Sequence, residues 1–174
     1  SIEDSRFLDL FAGSGAMGLE ALSRGAKSAV FVENDKYAAQ CIEENIKSLD
    51  VSKRVRLLRK DCLKAIKSLS ESGDSFDFIY ADPPYLETFK EGLLSEEVLR
   101  MIGSSALLKE NGLFIIEEDR KAGLDRIERD TLARAQSGQH FDTVFPGSYA
   151  QPHLPQLPLP FLRQHVNRRD FAAP

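Results

Sequence analysis

Phe7-Leu8-Asp9-Leu10-Phe11-Ala12-Gly13-Ser14-Gly15-Ala16-Met17-Gly18 is the stretch on which the fold turns. Phe7 to Phe11 reads as a short strand, Ala12 to Gly15 as a turn, and Ala16 to Arg24 as a helix. The same order repeats outward from it. Ala29 to Val32 is a continuous apolar run of the kind buried on both faces of a parallel sheet, and it ends in Glu33-Asn34-Asp35. Lys36 to Leu49 carries Ile42, Ile46 and Leu49 at helical spacing, and Val55 to Leu58 supplies a third strand running towards Asp61. Cys62 to Leu69 reads as a helix and Ser70 to Ser75 as a polar turn. Phe76 to Ala81 is then a fourth strand, ending in Asp82-Pro83-Pro84-Tyr85. A helix over Thr88 to Ser105 leads through Glu110-Asn111-Gly112 into a fifth strand, Leu113 to Ile116.

Strands alternating with helices imply right-handed crossovers and an α/β fold with a doubly wound, mostly parallel, Rossmann-like sheet. Ligands of such sheets bind beyond the carboxyl ends of the strands, where strand order reverses. The glycine loop, Glu33, Asp61 and Asp82 are therefore expected along one edge.

The 174 residues suit one domain able to bury about two thirds of its unfolded surface. No apolar run approaches the roughly 20 residues of a membrane span and no signal peptide is visible, which points to a cytoplasmic protein. Cys41 and Cys62 have no metal or disulfide spacing, and all three histidines lie in the last 35 residues. Chemistry in the core must come from carboxylates, backbone groups and aromatics. The net charge of −4 argues against a uniformly basic nucleic-acid binder, yet seven basic residues fall between Lys53 and Lys67. That run reads equally as a solvated face or as an RNA-facing patch.

Gly13-Ser14-Gly15-Ala16-Met17-Gly18 satisfies GxGxxG between a strand and a helix, where small residues admit a ligand close to backbone N–H groups. A dinucleotide would use this loop, with Glu33 holding ribose hydroxyls. Asp82-Pro83-Pro84-Tyr85 has no use in dinucleotide chemistry, whereas methylation of an amino group on a base employs all of it. The lone pair of such an amine is delocalised into the ring, so acceptors must take its N–H groups and turn the lone pair toward the methyl donor. Asp82 and the Pro83 carbonyl are such acceptors, the prolines fix the backbone near φ −65°, and Tyr85 offers a stacking face. The donor this chemistry implies is S-adenosylmethionine, whose by-product is S-adenosylhomocysteine. Asp61 before Cys62 fits an acceptor for an adenine amine, and equally an ordinary helix N-cap. Asp9 reads as a contact to the methionine end of the cofactor or as a hydrogen bonder supporting the loop.

Phe7 to Gly25 with its Glu-Ala-Leu-Ser-Arg-Gly ending, together with Val32-Glu33-Asn34-Asp35, Asp61-Cys62 and Asp82-Pro83-Pro84-Tyr85, closely resembles the RsmD family of 16S ribosomal RNA guanine-N2 methyltransferases over residues 6–120. The resemblance implies that Gly13, Ser14 and Gly15 bound the methionine portion of the cofactor, Glu33 its ribose, and Asp61 and Cys62 its adenine. Asp9, Phe11, Asn34 and Asp82 complete the expected cofactor contacts. Asp82, Pro83 and Tyr85 would hold guanine 966 of 16S rRNA within a partly assembled small subunit, the protein acting as a monomer. An adenine-N6 or cytosine-N4 DNA methyltransferase shares the loop motif. A dinucleotide-dependent oxidoreductase and a fragment that only binds cofactor or RNA are further alternatives. The family's upstream segment and last strands are not recognised. Residues 1–123 are expected to form the core and 124–174, where six of eight prolines lie after Phe145, a poorly structured tail.

Overall fold

The computed structural model describes residues 1–84, 88–89 and 92–117, and the backbone of 140–144. Six strands form one parallel sheet: β1 (Arg6–Asp9), β2 (Ser28–Val32), β3 (Val55–Leu58), β4 (Phe76–Ala81), β7 (Leu108–Glu117) and β8 (His140–Val144). Their order is β3-β2-β1-β4-β7-β8, so the direction of winding reverses between β1 and β4. The helices are α1 (Ala16–Ser23), α2 (Lys36–Ser48), α3 (Cys62–Glu71) and α4 (Leu94–Gly103).

Successive strand residues project to opposite faces, and each face has its own core. Leu8, Val30, Ile79 and Ala81 meet Ile66 and Leu69 of α3 and Val98, Leu99 and Ile102 of α4. Phe7, Phe31 and Tyr80 meet Leu19 and Leu22 of α1 and Ile42 of α2. Each fully buried side chain of this size contributes roughly 1.5–3 kcal/mol. Gly18 lets α1 lie on β2, since a Cβ there would come within 2.2 Å of the Phe31 ring. The third glycine of the loop motif is thus a packing residue.

The first four strands and the first three helices lie close to where the sequence puts them. The fourth helix is shorter than the expected span from Thr88 to Ser105. It begins at Leu94, behind a two-stranded antiparallel pair, β5 (Thr88–Phe89) and β6 (Gly92–Leu93). The Leu93 N–H donates to Glu96 Oε2 at 3.0 Å, so the helix starts where a side chain can cap it. β7 begins earlier than expected because its ladder runs through the Glu110-Asn111-Gly112 turn. Asn111 adopts φ 61° there, and the register with β4 shifts between Phe76 and Phe78. The sequence reading had no strand after Leu124, but His140–Val144 forms the sixth, taking up the open edge of β7. No helix among the described residues is long and apolar enough to cross a membrane.

At the amino ends of the strands the charges are paired. Arg6 and Arg56 bridge to Asp74 at 2.7 and 2.8 Å, and Lys109 bridges to Asp77 at 2.9 Å. The backbone N–H of Arg6 also donates to Asp77. Burial alone would raise the Asp74 carboxyl, but hydrogen bonds from Arg56, Arg6 and Ser72 outweigh it and hold its pKa at about 2.

Candidate active site

The carboxyl edge is built differently. Gly13 and Gly15 have φ of +55° and +82°, which only glycine adopts freely, and Gly15 is the N-cap of α1. Two side chains hold this loop. Glu33 Oε2 accepts from the Gly13 N–H at 2.7 Å while its Oε1 accepts from the Asp35 N–H at 2.8 Å. Asn45 Nδ2 donates to the Ser14 carbonyl at 3.0 Å. Asn45 was not among the residues picked out from the sequence. Its only signal is an amide beside Ile46 on the inner side of α2, and polarity at one helix position rarely announces such a bond.

Asp9 ends β1 at the winding reversal and is 1% exposed. Its Oδ2 accepts from the Gly18 N–H at 3.3 Å, and its Oδ1 has no hydrogen-bond partner among the described residues. Burial pushes its pKa up to about 7; the Gly18 N–H pulls it back, and the negative Asp82 and Glu33 add to the rise. Asp82 follows β4, the neighbour of β1, and is half-buried, with Pro83 buried and Pro84 exposed after it. Tyr85 lies outside the described residues. Tyr80 Oη donates to Glu117 Oε1 at 2.6 Å. Burial and that bond raise the phenol's pKa far above its ordinary value.

A cavity of about 110 Å³ opens on the same edge. Phe11, Glu33, Asn34, Asp61 and Cys62 line it together, with Leu10, Leu94 and Pro84 as its apolar walls. Five of the expected cofactor residues are thus brought to one space, and Pro84 ties it to the Asp82 loop. Asp9 and the three loop residues Gly13, Ser14 and Gly15 are not in its lining but adjoin it along the edge. Asp61 Oδ1 accepts from the Lys64 N–H at 3.1 Å as an N-cap, and the residue also lines the cavity. Burial, with Asp61 beside it, drives the Cys62 thiol far above its ordinary pKa, so Cys62 is a wall and not a nucleophile.

The edge fits a nucleoside carrying an amino-acid tail. A slot with apolar walls and carboxylates at its rim suits an adenosine, whose hydroxyls and amine are donors. The positive-φ glycine at 13 has open space where a side chain would stand, leaving room for a ligand against the backbone. The orphaned Asp9 oxygen is a buried acceptor matched to a cationic amine.

The basic run after Lys53 resolves mostly into structure. Arg54 donates to the carbonyls of Leu22 and Ala26 at the end of α1, Arg56 pairs with Asp74, Arg59 with Glu43 and Lys67 with Glu71. With Lys60 donating to Ser68 Oγ at 3.4 Å, five of its seven cations have partners within the protein, and all seven remain exposed.

A winding-reversal site with a glycine loop, an acid closing the second strand and an Asp-Pro-Pro turn after the fourth belongs to the Rossmann-like, S-adenosylmethionine-dependent class of methyltransferase folds. Within that class the family described as Conserved hypothetical protein 95 matches residues 1–146, and the chain belongs to it. YlbH of Bacillus subtilis is 37% identical over 130 residues, which cover 75% of this chain and 68% of that protein. Ribosomal RNA small subunit methyltransferase D of Escherichia coli K12 is 33% identical over 126 residues, 72% of this chain and 59% of the relative's length. The solved structure of the Escherichia coli methyltransferase yhhF superposes with a TM-score of 0.58 at 33% identity, over 69% of this chain and 63% of that one.

Proposed function

We propose that this chain binds S-adenosylmethionine and transfers its methyl group to the exocyclic N2 amine of a guanine in small-subunit ribosomal RNA. The observation that carries the reading is the placement of Asp82 and Pro83 at the winding reversal. They stand there beside Asp9, and Pro84, next in the chain, lines the cavity. The named small-subunit methyltransferase among the relatives supports the choice of RNA and subunit.

When bound, the cofactor supplies a methyl carbon on a positive sulfur, which leaves as a neutral thioether. Everything else falls to the chain. Glu33, Asn34, Asp61 and Cys62 hold the adenosine; Gly13, Ser14 and Gly15 receive the methionine portion, and Asp9 faces its amine. Asp82 and the Pro83 carbonyl accept the two N–H groups of the target amine, which turns its lone pair toward the methyl carbon. As the C–N bond forms, the amine loses one proton, and Asp82 is placed to take it. The carboxylates around this point favour the cationic donor, so the step needs positioning and negative potential more than a strong base. Tyr85, one residue beyond Pro84, would stack on the base.

Two measurements test the reading. Calorimetry should show S-adenosylhomocysteine binding and no tight binding of NAD; the reverse would assign the loop to a dinucleotide. Nucleoside mass spectrometry of small-subunit RNA incubated with labelled cofactor should then find N2-methylguanosine. Asp82→Ala should lower its formation roughly a hundredfold or more. Full transfer by that variant would refute the role given to Asp82.

A further inference from the structure

Glu117 ends β7, the strand beside β4, and nothing in the roles above uses it. The register pairs Tyr80 with Ile115 and Ala81 with Ile116, which brings Glu117 level with Asp82 across the two carboxyl ends. Strand residues two apart share a face, so Glu117 leaves the sheet on the side of Ile115 and Tyr80, which belong to the core against α1, and Asp82 is close enough to act on the Tyr80 phenol. The Tyr80 hydroxyl binds Glu117 Oε1 at 2.6 Å, a short charge-assisted bond that orients the carboxylate. Glu117 Oε2 has no hydrogen-bond partner among the described residues. The same edge holds the orphaned, 1% exposed Asp9, so unpartnered acceptors here belong to a surface shaped for a ligand.

Asp82 and Pro83 require only an amine, and adenine, cytosine and guanine all present one. The atom next to the amine separates them. Guanine carries a donor there, N1–H; adenine and cytosine carry a ring nitrogen that accepts. We infer that Glu117 is the specificity-determining residue of the acceptor site: its Oε2 accepts the N1–H of the target guanine, while Tyr80 is a positioning residue that holds Oε1. This rests on the guanine-N2 reading. An adenine or cytosine in the same place would set a lone pair against the carboxylate, leaving both groups unpaired and desolvated, and sites of that kind discriminate strongly.

The experiment compares small-subunit RNA bearing guanosine at the target with RNA bearing 2-aminopurine there, which keeps the 2-amine but has an acceptor at N1. The wild-type chain should favour guanosine in kcat/KM by roughly tenfold to a hundredfold, the discrimination expected of one well-made base contact. Glu117→Gln offers an amide that can donate or accept, and should bring the two substrates to within about threefold, with S-adenosylhomocysteine affinity unchanged. Tyr80→Phe keeps the carboxylate but frees it, and should reduce the preference by about threefold to tenfold. A folded Glu117→Gln protein that retains the wild-type preference overturns the inference and leaves the methyltransferase reading standing. So does a wild-type chain that methylates both RNAs equally well. Should Glu117→Gln fail to fold, an unchanged preference in Tyr80→Phe overturns it. A wild-type chain that forms no N2-methylguanosine overturns both readings together.

Discussion

The two ends of the sheet spend their carboxylates in opposite ways. At the amino ends, Asp74 lies between Arg6 and Arg56, and Asp77 accepts from Lys109 and the Arg6 backbone. Both acids are held below their ordinary pKa. At the carboxyl ends, Asp9 is buried with one oxygen bare, lies near Glu33 and Asp82, and is raised to about 7. Carboxylates that serve the fold are paired by it. Those left raised and bare mark where the protein expects something from outside.

Gly18→Ala should break the contrast most severely, because it strikes the carboxyl edge through packing. A Cβ 2.2 Å from the Phe31 ring must push α1 off β2 and carry the Gly18 N–H away from Asp9. The expected loss is about 1–3 kcal/mol in chemical denaturation, accompanied by weaker S-adenosylhomocysteine binding. An unchanged midpoint would show that the helix sits more loosely than these distances allow.

Asp74→Ala tests the other end. Removing the acid leaves two arginines facing each other and should lower stability by about 1–2 kcal/mol at pH 7, with cofactor binding unaffected. The pH dependence sharpens the test. Because the folded pKa is depressed to about 2, the Asp74 contribution is present above the unfolded value near 4 and is lost as pH falls toward 2. The variant should therefore be less sensitive than the wild type to acid in that window.

Asp9→Asn should give the smallest effect and the opposite sign. A folded pKa raised to about 7 means that Asp9 favours folding below pH 4 and that this contribution is lost as pH rises to about 7. The amide should flatten that slope and raise the melting temperature at pH 8, the relief of the ionisation penalty being offset in part by a weaker bond from the Gly18 N–H, while weakening cofactor binding. Equal pH profiles for variant and wild type would mean that Asp9 is ionised without penalty.

Legibility in the sequence followed the same division. Strands β3 and β4 fall on the residues expected, because apolar runs closed by Asp or Glu have few other readings in an alternating chain. Of the cavity residues, Glu33 and Asp61 were legible from strand ends, while Phe11, Asn34 and Cys62 came from the family resemblance. What escaped is what depends on the third dimension. Asn45 reaches the loop across 31 residues, and Glu117 gains its meaning only from the register of β7 against β4. The partners of the basic run escaped too, because a row of cations in sequence does not show the acids and carbonyls across space. β8 carries only a weak pattern, Phe141 and Thr143 between polar residues, and pairs as an outer strand after a long connection.

The two glycines that flank α1's first turn are retained for reasons that a selection experiment would separate. At position 18 the constraint is the Phe31 ring, so a screen for folded protein would return glycine whether or not cofactor is offered. At position 13 no protein atom lies within 4 Å of where a Cβ would stand, and φ +55° is a conformation that asparagine tolerates. A screen for folding would pass asparagine at 13; a screen for binding would reject it. The motif that opens this chain thus records two histories, one of packing and one of a ligand.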